Sequence, residues 1–119
     1  MNNSNPFYIE ALEIKNASSL HKLMVSNLKH FSLYLPKTLE QNRSLEASAE
    51  YIKQKAFENT QNETLTYAIM SKETNEVAGL IIIKEIDLVK KQGELAYGIG
   101  ETFEGRGWVT QAVNYMSNY

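Results

Sequence analysis

Two glycines separated by one residue, Gly105 and Gly107, follow an apolar segment and precede a helix-forming one. Glycine permits sharp turns and a close approach of the backbone to a ligand. The first backbone N–H groups of a helix have no partner within the helix and attract anions. Residues 93–112 therefore predict a strand, a tight loop and a helix that together bind a phosphate or pyrophosphate. For the short glycine motif alone, an ordinary tight turn is an equally good interpretation.

The composition excludes several kinds of site. The chain has 119 residues, of which 43% are hydrophobic and 22% charged, a balance typical of one globular domain. It contains no cysteine, which rules out disulfides, thiolate metal sites and a cysteine nucleophile. The net charge is −2 and the basic residues are scattered, so the sequence predicts no nucleic-acid partner.

The N-terminal segment does not resemble a secretory signal. Residues 1–6 are polar and lack a charged stretch followed by an apolar one. Elsewhere no apolar run approaches the roughly 18 residues that a membrane-spanning helix needs. The sequence therefore predicts a soluble cytoplasmic protein with no membrane partner.

The elements that must position the loop are predicted from hydrophobic periodicity. Strands are expected where branched and aromatic residues alternate or run together, at residues 7–12, 65–70, 77–86 and 93–100. Helices are expected where apolar residues recur at helical spacing, at residues 17–28, 44–58 and from 107 onward. Asn16 is the predicted N-cap of the first helix. Residues 29–36 predict a short turn or helix that ends at Pro36. Residues 72–76 predict a hairpin turn, and residues 80–83 predict the centre of a strand that is buried on both faces. Residues 89–92 predict a link to the last strand.

This order of elements, strand, helix, helix, three strands and helix, predicts an α+β fold with a mixed sheet and one domain over residues 1–119. A helix after the last strand should lead back to a further parallel strand. The 119 residues contain no such strand, so we expect the domain to be incomplete at its C-terminal side. The open edge of the fourth strand is then a candidate surface for pairing with a second copy as a homodimer.

Residues around the glycine loop also match the signature of a known family. The matching positions lie in the strand, the loop and the helix: Glu94, Leu95, Tyr97, Gly105, Arg106, Gly107, Trp108, Thr110 and Ala112. With these residues the chain resembles the GNAT N-acetyltransferases, and within them the ribosomal-protein N-terminal acetyltransferases. Residues 27–36 are similar to the segment that joins the first two helices in that branch.

The resemblance implies a site for acetyl-coenzyme A. In the family, loop amides hold the cofactor's pyrophosphate, and the fourth strand pairs with the pantetheine arm. The positions that carry over to the pyrophosphate loop are Glu104, Gly105, Arg106, Gly107, Trp108 and Val109. Ile99 and Gly100 correspond to the pantetheine strand. A primary amine, from a protein N-terminus or a small molecule, attacks the thioester directly, so no metal is implied.

Candidate residues for the acceptor side each have a structural alternative. Glu94 is the candidate general base, and the alternative is a structural or surface carboxylate. His30 is a candidate for positioning the acceptor, and the alternative is a partly packed histidine. Phe31 and Tyr34 are candidates for lining the acceptor pocket, and the alternative is an aromatic core.

Two loop residues depart from the family pattern. Glu104 stands where Gln or Arg is usual, and its carboxylate would repel the phosphates if it pointed inward. Val109 replaces Gly or Ala and adds bulk. The predicted function is an acetyl-coenzyme A-dependent N-acetyltransferase. The alternative is an inactive, truncated member of the family that binds coenzyme A or self-associates; a third interpretation is that these residues are a fragment of a longer protein.

Overall fold

One antiparallel sheet organises the chain. The computed structural model describes residues 6–61, 64–87 and 92–117. The strands of the sheet are β1 (Phe7–Ala11), β2 (Leu65–Ser71), β3 (Val77–Asp87) and β4 (Gln92–Ile99), which lie side by side in that order. Each neighbouring pair is antiparallel. The predicted α+β class is confirmed, and the sheet contains no parallel pair in the described part of the chain.

Helices fill the connection between β1 and β2 and follow β4. They are α1 (Ala17–Ser26), α2 (Leu28–Tyr34), α3 (Pro36–Glu40), α4 (Leu45–Gln61) and α5 (Trp108–Ser117). Single 3₁₀ turns precede α1, at Ile14–Asn16, and follow β4, at Glu101–Phe103. The predicted order of elements is confirmed, with α2 in place of the short turn or helix predicted at residues 29–36 and with α3 as an additional helix that the sequence does not predict. Within the described ranges, none of the helices has the length and apolarity needed to cross a membrane.

The break between α2 and α3 lies at Leu35, directly before Pro36. Leu35 has φ −138° and ψ 61°, outside the helical region. A residue before proline is disfavoured in helical conformation, which ends α2 there as predicted. Pro36 then takes the first position of α3, where its missing N–H has no helical acceptor to lose. The proline thus ends one helix and begins the next, and only the first effect is predicted from the sequence.

Two sequence predictions at element boundaries have other outcomes. The Asn16 side chain does not cap α1; its Oδ1 accepts a hydrogen bond from the Glu13 backbone N–H at 2.8 Å and closes the preceding 3₁₀ turn. Asn16 thus occupies the N-cap position of α1 as predicted, but its side chain makes no capping hydrogen bond because this local partner competes with the N–H groups of α1. The link predicted at residues 89–92 lies mostly outside the described residues, and its last residue begins β4.

The sheet separates two hydrophobic clusters because side chains alternate between the faces of a strand. The cluster on the α1, α2 and α4 side includes Leu20, Met24, Phe31, Leu35, Ile52, Met70, Leu80 and Ile82. The cluster on the α5 side includes Phe7, Ile69, Ala78, Ile81, Ile99, Trp108 and Ala112. Leu80, Ile81 and Ile82 on β3 are buried in alternation on both sides, which confirms the predicted strand centre.

Helix α2 packs closely against β4 because Gly98 has no side chain. A methyl group at Gly98 would lie 2.7 Å from Cε1 of Phe31 and 3.2 Å from Cδ1 of Leu35. Both of those side chains are buried. The contact brings α2 against the last residues of β4, directly before the loop that leads to α5.

We predict that Gly98→Ala lowers the free energy of unfolding by about 1–3 kcal/mol, because the added methyl group forces the Phe31 ring and Leu35 to shift. Urea unfolding measures the loss. Phe31→Leu shortens the side chain that the methyl group meets, so the double variant should lose less stability than the sum of the two single variants. Additive losses would contradict the close contact.

Tyr51 on α4 carries a buried hydroxyl group. Its side chain is 3% exposed, and no atom in the described residues meets hydrogen-bonding geometry with the hydroxyl, although Thr38 lies beside it. Burial raises the pKa of the Tyr51 hydroxyl well above its ordinary value of 10.0, and the nearby Glu58 carboxylate raises it further. Neutral Tyr51 is therefore the form compatible with the folded chain.

We predict that the alkaline loss of stability is smaller in Tyr51→Phe than in the wild type. A pKa raised by folding contributes stability below the unfolded value of 10.0, and that contribution is lost as the pH rises above it. The wild type should lose up to about 1.4 kcal/mol per pH unit more than Tyr51→Phe in that range. Urea unfolding at several pH values measures this. Tyr115→Phe, which changes an exposed tyrosine, should follow the wild type; equal losses in all three proteins would contradict the prediction.

Candidate anion-binding site

The loop between β4 and α5 has the backbone conformation that requires its two glycines. Gly105 and Gly107 both have φ 77°, in the left-handed region that costs other residues roughly 1–2 kcal/mol. A side chain on Gly105 would meet no atom within 4 Å, and one on Gly107 would meet only Nε2 of Gln111, at 3.9 Å. The glycines are therefore required by the turn itself, and the space beside them is open.

Helix α5 begins directly after this loop, and the N–H groups of its first turn are not hydrogen-bonded within the helix. The Gln111 N–H donates to the Gly107 carbonyl at 3.1 Å, the first backbone bond of the helix. The N–H groups of Trp108, Val109 and Thr110 precede it and have no acceptor within the helix. Together with the helix dipole they form a site that favours an anion. The predicted strand, loop and helix are all present.

Trp108 fixes the start of α5 to the sheet. Its side chain is 3% exposed, and its ring lies 5.4 Å from the Phe7 ring on β1 and 4.9 Å from the Phe103 ring, centroid to centroid. The Trp108 side chain is thus a packing anchor. The contact of Trp108 with a cofactor stays a prediction, and the group that would make it is the backbone N–H.

The Arg106 side chain lies over this aromatic pair. Its Cζ is 5.4 Å from the ring centroid of Phe103 and 5.6 Å from that of Trp108, within the range of cation–π attraction. Arg106 is otherwise exposed. Its positive charge is therefore held near the loop by aromatic rings, and direct pairing with a phosphate stays a prediction.

The Glu104 carboxylate is paired with His30 on α2. Glu104 Oε1 lies 3.0 Å from His30 Nδ1, and His30 Nε2 accepts a hydrogen bond from the Ile99 backbone N–H at 3.3 Å. Because Nε2 acts as an acceptor, the proton of the neutral ring is assigned to Nδ1, the ring nitrogen that faces the Glu104 carboxylate. The His30 side chain is 14% exposed and that of Glu104 is 48% exposed. The structure thus brings together two residues that the sequence places on opposite sides of the predicted site.

Asn27, at the end of α1, makes a second link to the same connection and is missed by the sequence analysis. Its Oδ1 accepts a hydrogen bond from the Glu101 N–H at 2.8 Å, and its Nδ2 donates to the Leu23 carbonyl at 2.9 Å. A side chain on Gly100 would lie 3.0 Å from Cδ1 of Leu23. The spacing of Asn27 and His30 is the sequence signal that could have identified Asn27, because residues three apart lie on the same side of a helical turn.

The free edge of β4 is where the predicted pantetheine residues lie. The Gly100 N–H donates to the Ala78 carbonyl at 2.8 Å, which continues the ladder between β3 and β4. Antiparallel hydrogen bonding alternates, so Ile99 and Tyr97 direct their backbone groups to the opposite edge. That edge has no neighbouring strand in the described part of the chain. Cofactor contacts of Ile99 and Gly100, and a homodimer through this edge, stay predictions.

The predicted acceptor residues on α2 form one ring cluster. His30 lies 5.2 Å from Phe31 and 4.7 Å from Tyr34, between ring centroids. Phe31 is fully buried and belongs to the core, whereas Tyr34 is 60% exposed. Tyr34 is therefore the ring of this cluster with the larger surface available to an acceptor, and pocket-lining roles for all three stay predictions.

Glu94 lies apart from the His30 and Glu104 pair. It is exposed on β4 opposite Lys84 on β3. Ile99 lies five positions further along the strand, a length of about 17 Å. By the alternation of the strand, Glu94 lies on the same face of the sheet as Gly98 and helix α2. Its assignment as the general base remains a prediction.

Other features of the described residues lie away from the loop. No group of three or more His, Asp or Glu residues among them is arranged to hold a metal ion. A shallow cavity of about 530 Å³ lies along α4, lined by Gln41, Ala47, Glu50, Tyr51, Lys53, Gln54 and Phe57. None of these lining residues belongs to the loop between β4 and α5.

Comparison with known proteins identifies the family to which the chain belongs. Residues 7–119 match the sequence model of the family described as Acetyltransferase (GNAT) domain. The chain belongs to the GNAT acetyltransferase family. The resemblance identified from the glycine loop is therefore confirmed. A search of curated proteins finds no significant match.

Solved GNAT acetyltransferase structures share this fold. The microcin C7 self-immunity acetyltransferase MccE, solved with acetyl-CoA and AMP, has a TM-score of 0.81 and 25% identity over 93% of this chain and 60% of its own. RimL, a ribosomal L7/L12 α-N-protein acetyltransferase solved with coenzyme A, has a TM-score of 0.84 and 21% identity over 98% of this chain and 64% of its own. The ribosomal-protein-S5-alanine acetyltransferase of Vibrio fischeri has a TM-score of 0.84 and 15% identity over 98% and 64%. The chain of this GNAT family member thus spans about 60% of the length of the structures it matches.

We predict that Gly105→Ala lowers the free energy of unfolding by about 1–2 kcal/mol, because alanine is strained at positive φ. Gly105→Asn is the matched control: it adds a larger side chain into open space, but asparagine tolerates this conformation better, so its loss should be smaller. Urea unfolding followed by the fluorescence of Trp108, the one tryptophan of the chain, measures both. A larger loss for Asn than for Ala would mean that steric contact, and not backbone strain, limits the position.

Proposed function

We propose that this chain acts as an acetyl-coenzyme A-dependent N-acetyltransferase that transfers an acetyl group to a primary amine by direct attack. The carrying observation is the loop with two glycines at φ 77°, followed by the unbonded N–H groups of α5, in a chain whose residues 7–119 match the GNAT domain. Two of the matching structures were solved with bound acetyl-CoA or coenzyme A, which supports the choice of cofactor.

The residues of the loop fit the pyrophosphate of such a cofactor. The N–H groups of Trp108, Val109 and Thr110 are donors without helical acceptors, and the Arg106 guanidinium adds positive charge nearby. Val109 packs against the hydrophobic cluster on the α5 side of the sheet. Its extra bulk relative to the family pattern is thus accommodated by the core, which supports an open loop in spite of the substitution.

The free edge of β4 fits an extended arm. The Tyr97 backbone groups and the Ile99 carbonyl point away from β3 and are in position to bond a ligand lying beside the strand, whereas the Ile99 N–H is already bonded to His30. Because Gly98 and Gly100 have no side chains, the last residues of β4 pack tightly against α1 and α2. A ligand along this edge would therefore meet a rigid surface, which lowers the entropic cost of placing a thioester for attack.

Bound acetyl-coenzyme A supplies the acyl group as an activated thioester. The chain's own residues must hold the amine, donate to the carbonyl oxygen as negative charge develops, and accept the amine's proton. His30 is unsuited to accept that proton, because Nε2 already bonds the Ile99 N–H and Nδ1 carries the proton given to Glu104. Glu94, exposed on the α2 face of the sheet, is the proposed base, acting directly or through water.

We infer that the acceptor amine belongs to a protein N-terminus or a small molecule and approaches along α2. The exposed Tyr34 ring, held beside His30, offers an aromatic surface for the residue or group that carries the amine. Two of the matching structures are ribosomal-protein acetyltransferases, and a third is a self-immunity acetyltransferase. Protein N-termini and small primary amines are therefore both tested as acceptors.

Calorimetric titration with coenzyme A tests the cofactor site, and we predict binding that depends on the Val109 N–H. Val109→Pro removes that donor at a first-turn position where proline is tolerated, while Val109→Ala keeps it and loses only side-chain contacts. We expect affinity to fall roughly tenfold to a hundredfold in Val109→Pro, the value of one hydrogen bond to a charged group, and to change little in Val109→Ala. Absence of binding to the folded wild type at millimolar coenzyme A would overturn the proposal for this chain.

Transfer itself is measured by the free thiol that coenzyme A releases. The chain has no cysteine, so a thiol reagent reports only the product. Peptides that begin with serine or alanine are compared with the same peptides acetylated at their N-terminus, and with small primary amines. Thiol release that requires a free amine supports the transferase. Coenzyme A binding without release for any of these amines would instead favour a binding module.

A further inference from the structure

Two side chains from the end of α1 and from α2 hold the connection that leads from β4 to α5. Asn27 accepts a hydrogen bond from the Glu101 N–H at 2.8 Å. His30 accepts one from the Ile99 N–H at 3.3 Å and contacts the Glu104 carboxylate at 3.0 Å. We refer to these five residues, Asn27, His30, Ile99, Glu101 and Glu104, as the clasp. The clasp joins the acceptor-side helix to the residues that immediately precede the glycine loop.

The position of the His30 ring within the clasp is fixed on all sides. Phe31 meets it edge to face, Tyr34 lies against its face, and each ring nitrogen has one partner. Only 14% of the side chain is exposed. A ring held in this way presents its Nδ1 proton in one direction, toward Glu104.

Glu104 places a negative charge next to a loop built for an anion. It directly precedes Gly105, and its side chain is about half exposed. In the described part of the chain, the Glu104 carboxylate contacts the His30 ring nitrogen, and the nearby Arg106 lies on the Phe103 and Trp108 rings. Without the His30 donor, the carboxylate is free to turn toward the N–H groups of α5. There it would compete with a phosphate for the same donors and repel its charge.

We propose that His30 is a positioning residue for the cofactor: it holds the Glu104 carboxylate away from the anion site, so that an acidic residue is tolerated in a pyrophosphate loop. The proposal rests on the proposed function of that loop. It assigns His30 an effect on cofactor affinity that is transmitted through Glu104, in place of a direct contact with the acceptor. The occupied ring nitrogens support this assignment.

Two substitutions of His30 separate the two halves of its contact. Asparagine places an amide nitrogen near the position of Nδ1 and retains a donor for Glu104. Glutamine places an amide oxygen near the position of Nε2 and retains an acceptor for the Ile99 N–H. We expect coenzyme A affinity to stay within about twofold of the wild type in His30→Asn and to fall roughly threefold to tenfold in His30→Gln, the value of one hydrogen bond.

Neutralising Glu104 provides the decisive control. Glu104→Gln removes the charge, so His30→Gln/Glu104→Gln should bind coenzyme A at least as tightly as the wild type. The loss in His30→Gln should also shrink as salt is raised, because screening weakens a repulsion between charges. A general structural defect at His30 would show neither rescue nor this salt dependence. Equal losses in His30→Asn and His30→Gln, or no rescue in the double variant, would overturn the proposal.

The outcome for the wild type separates this proposal from the proposed function. If the wild type does not bind coenzyme A, the function fails and the proposal fails with it. If the wild type binds and the variants do not differ, only the role of His30 fails. Nitrogen NMR of the imidazole ring adds a readout that needs no ligand: the wild type should show the proton on Nδ1, and Glu104→Gln should shift that signal. A proton found on Nε2 would contradict the clasp.

Discussion

The packing of α2 on the end of β4 is the contact on which the candidate site depends. It is possible because Gly98 leaves space for the Phe31 ring and Leu35, which lie where a side chain on the strand would be. This contact is apolar and fully buried, so it gains stability from exclusion of water and not from any polar partner. Once α2 is held there, His30 necessarily lies beside the Ile99 backbone, and Asn27 beside the residues that follow.

The opposite face of the sheet holds the other end of the same loop. Trp108 at the start of α5 packs on Phe7 of β1, the first strand of the chain, and on Phe103. The glycine loop is thus fixed at its beginning by hydrogen bonds from the α1 and α2 side, and at its end by aromatic packing on the α5 side. The segment between these two anchors is short, so its backbone conformation is determined by them, and glycine adopts the two positive φ values that result at the least cost.

The sequence predicts the elements of this arrangement better than the contacts between them. Alternating and continuous apolar residues predict the four strands and the hairpin, and Gly105 and Gly107 predict the loop, because these signals are local. The pairing of His30 with Glu104 joins residues that are far apart in the chain, and no periodicity indicates it. Two other features depend in the same way on which backbone groups the fold brings within reach. They are the hydrogen bonds of Asn27 and the lack of a capping hydrogen bond from the Asn16 side chain to α1.

The site draws its affinity for an anion from the backbone because its two charged side chains are engaged elsewhere. Glu104 and Arg106 flank Gly105 with opposite charges. The first is held by the His30 ring and the second by the rings of Phe103 and Trp108. What remains facing the open space beside the glycines is a set of N–H groups at the positive end of α5. Backbone donors survive changes of side chain, so an acidic residue in the loop is compatible with anion binding as long as the fold supplies that residue with a partner.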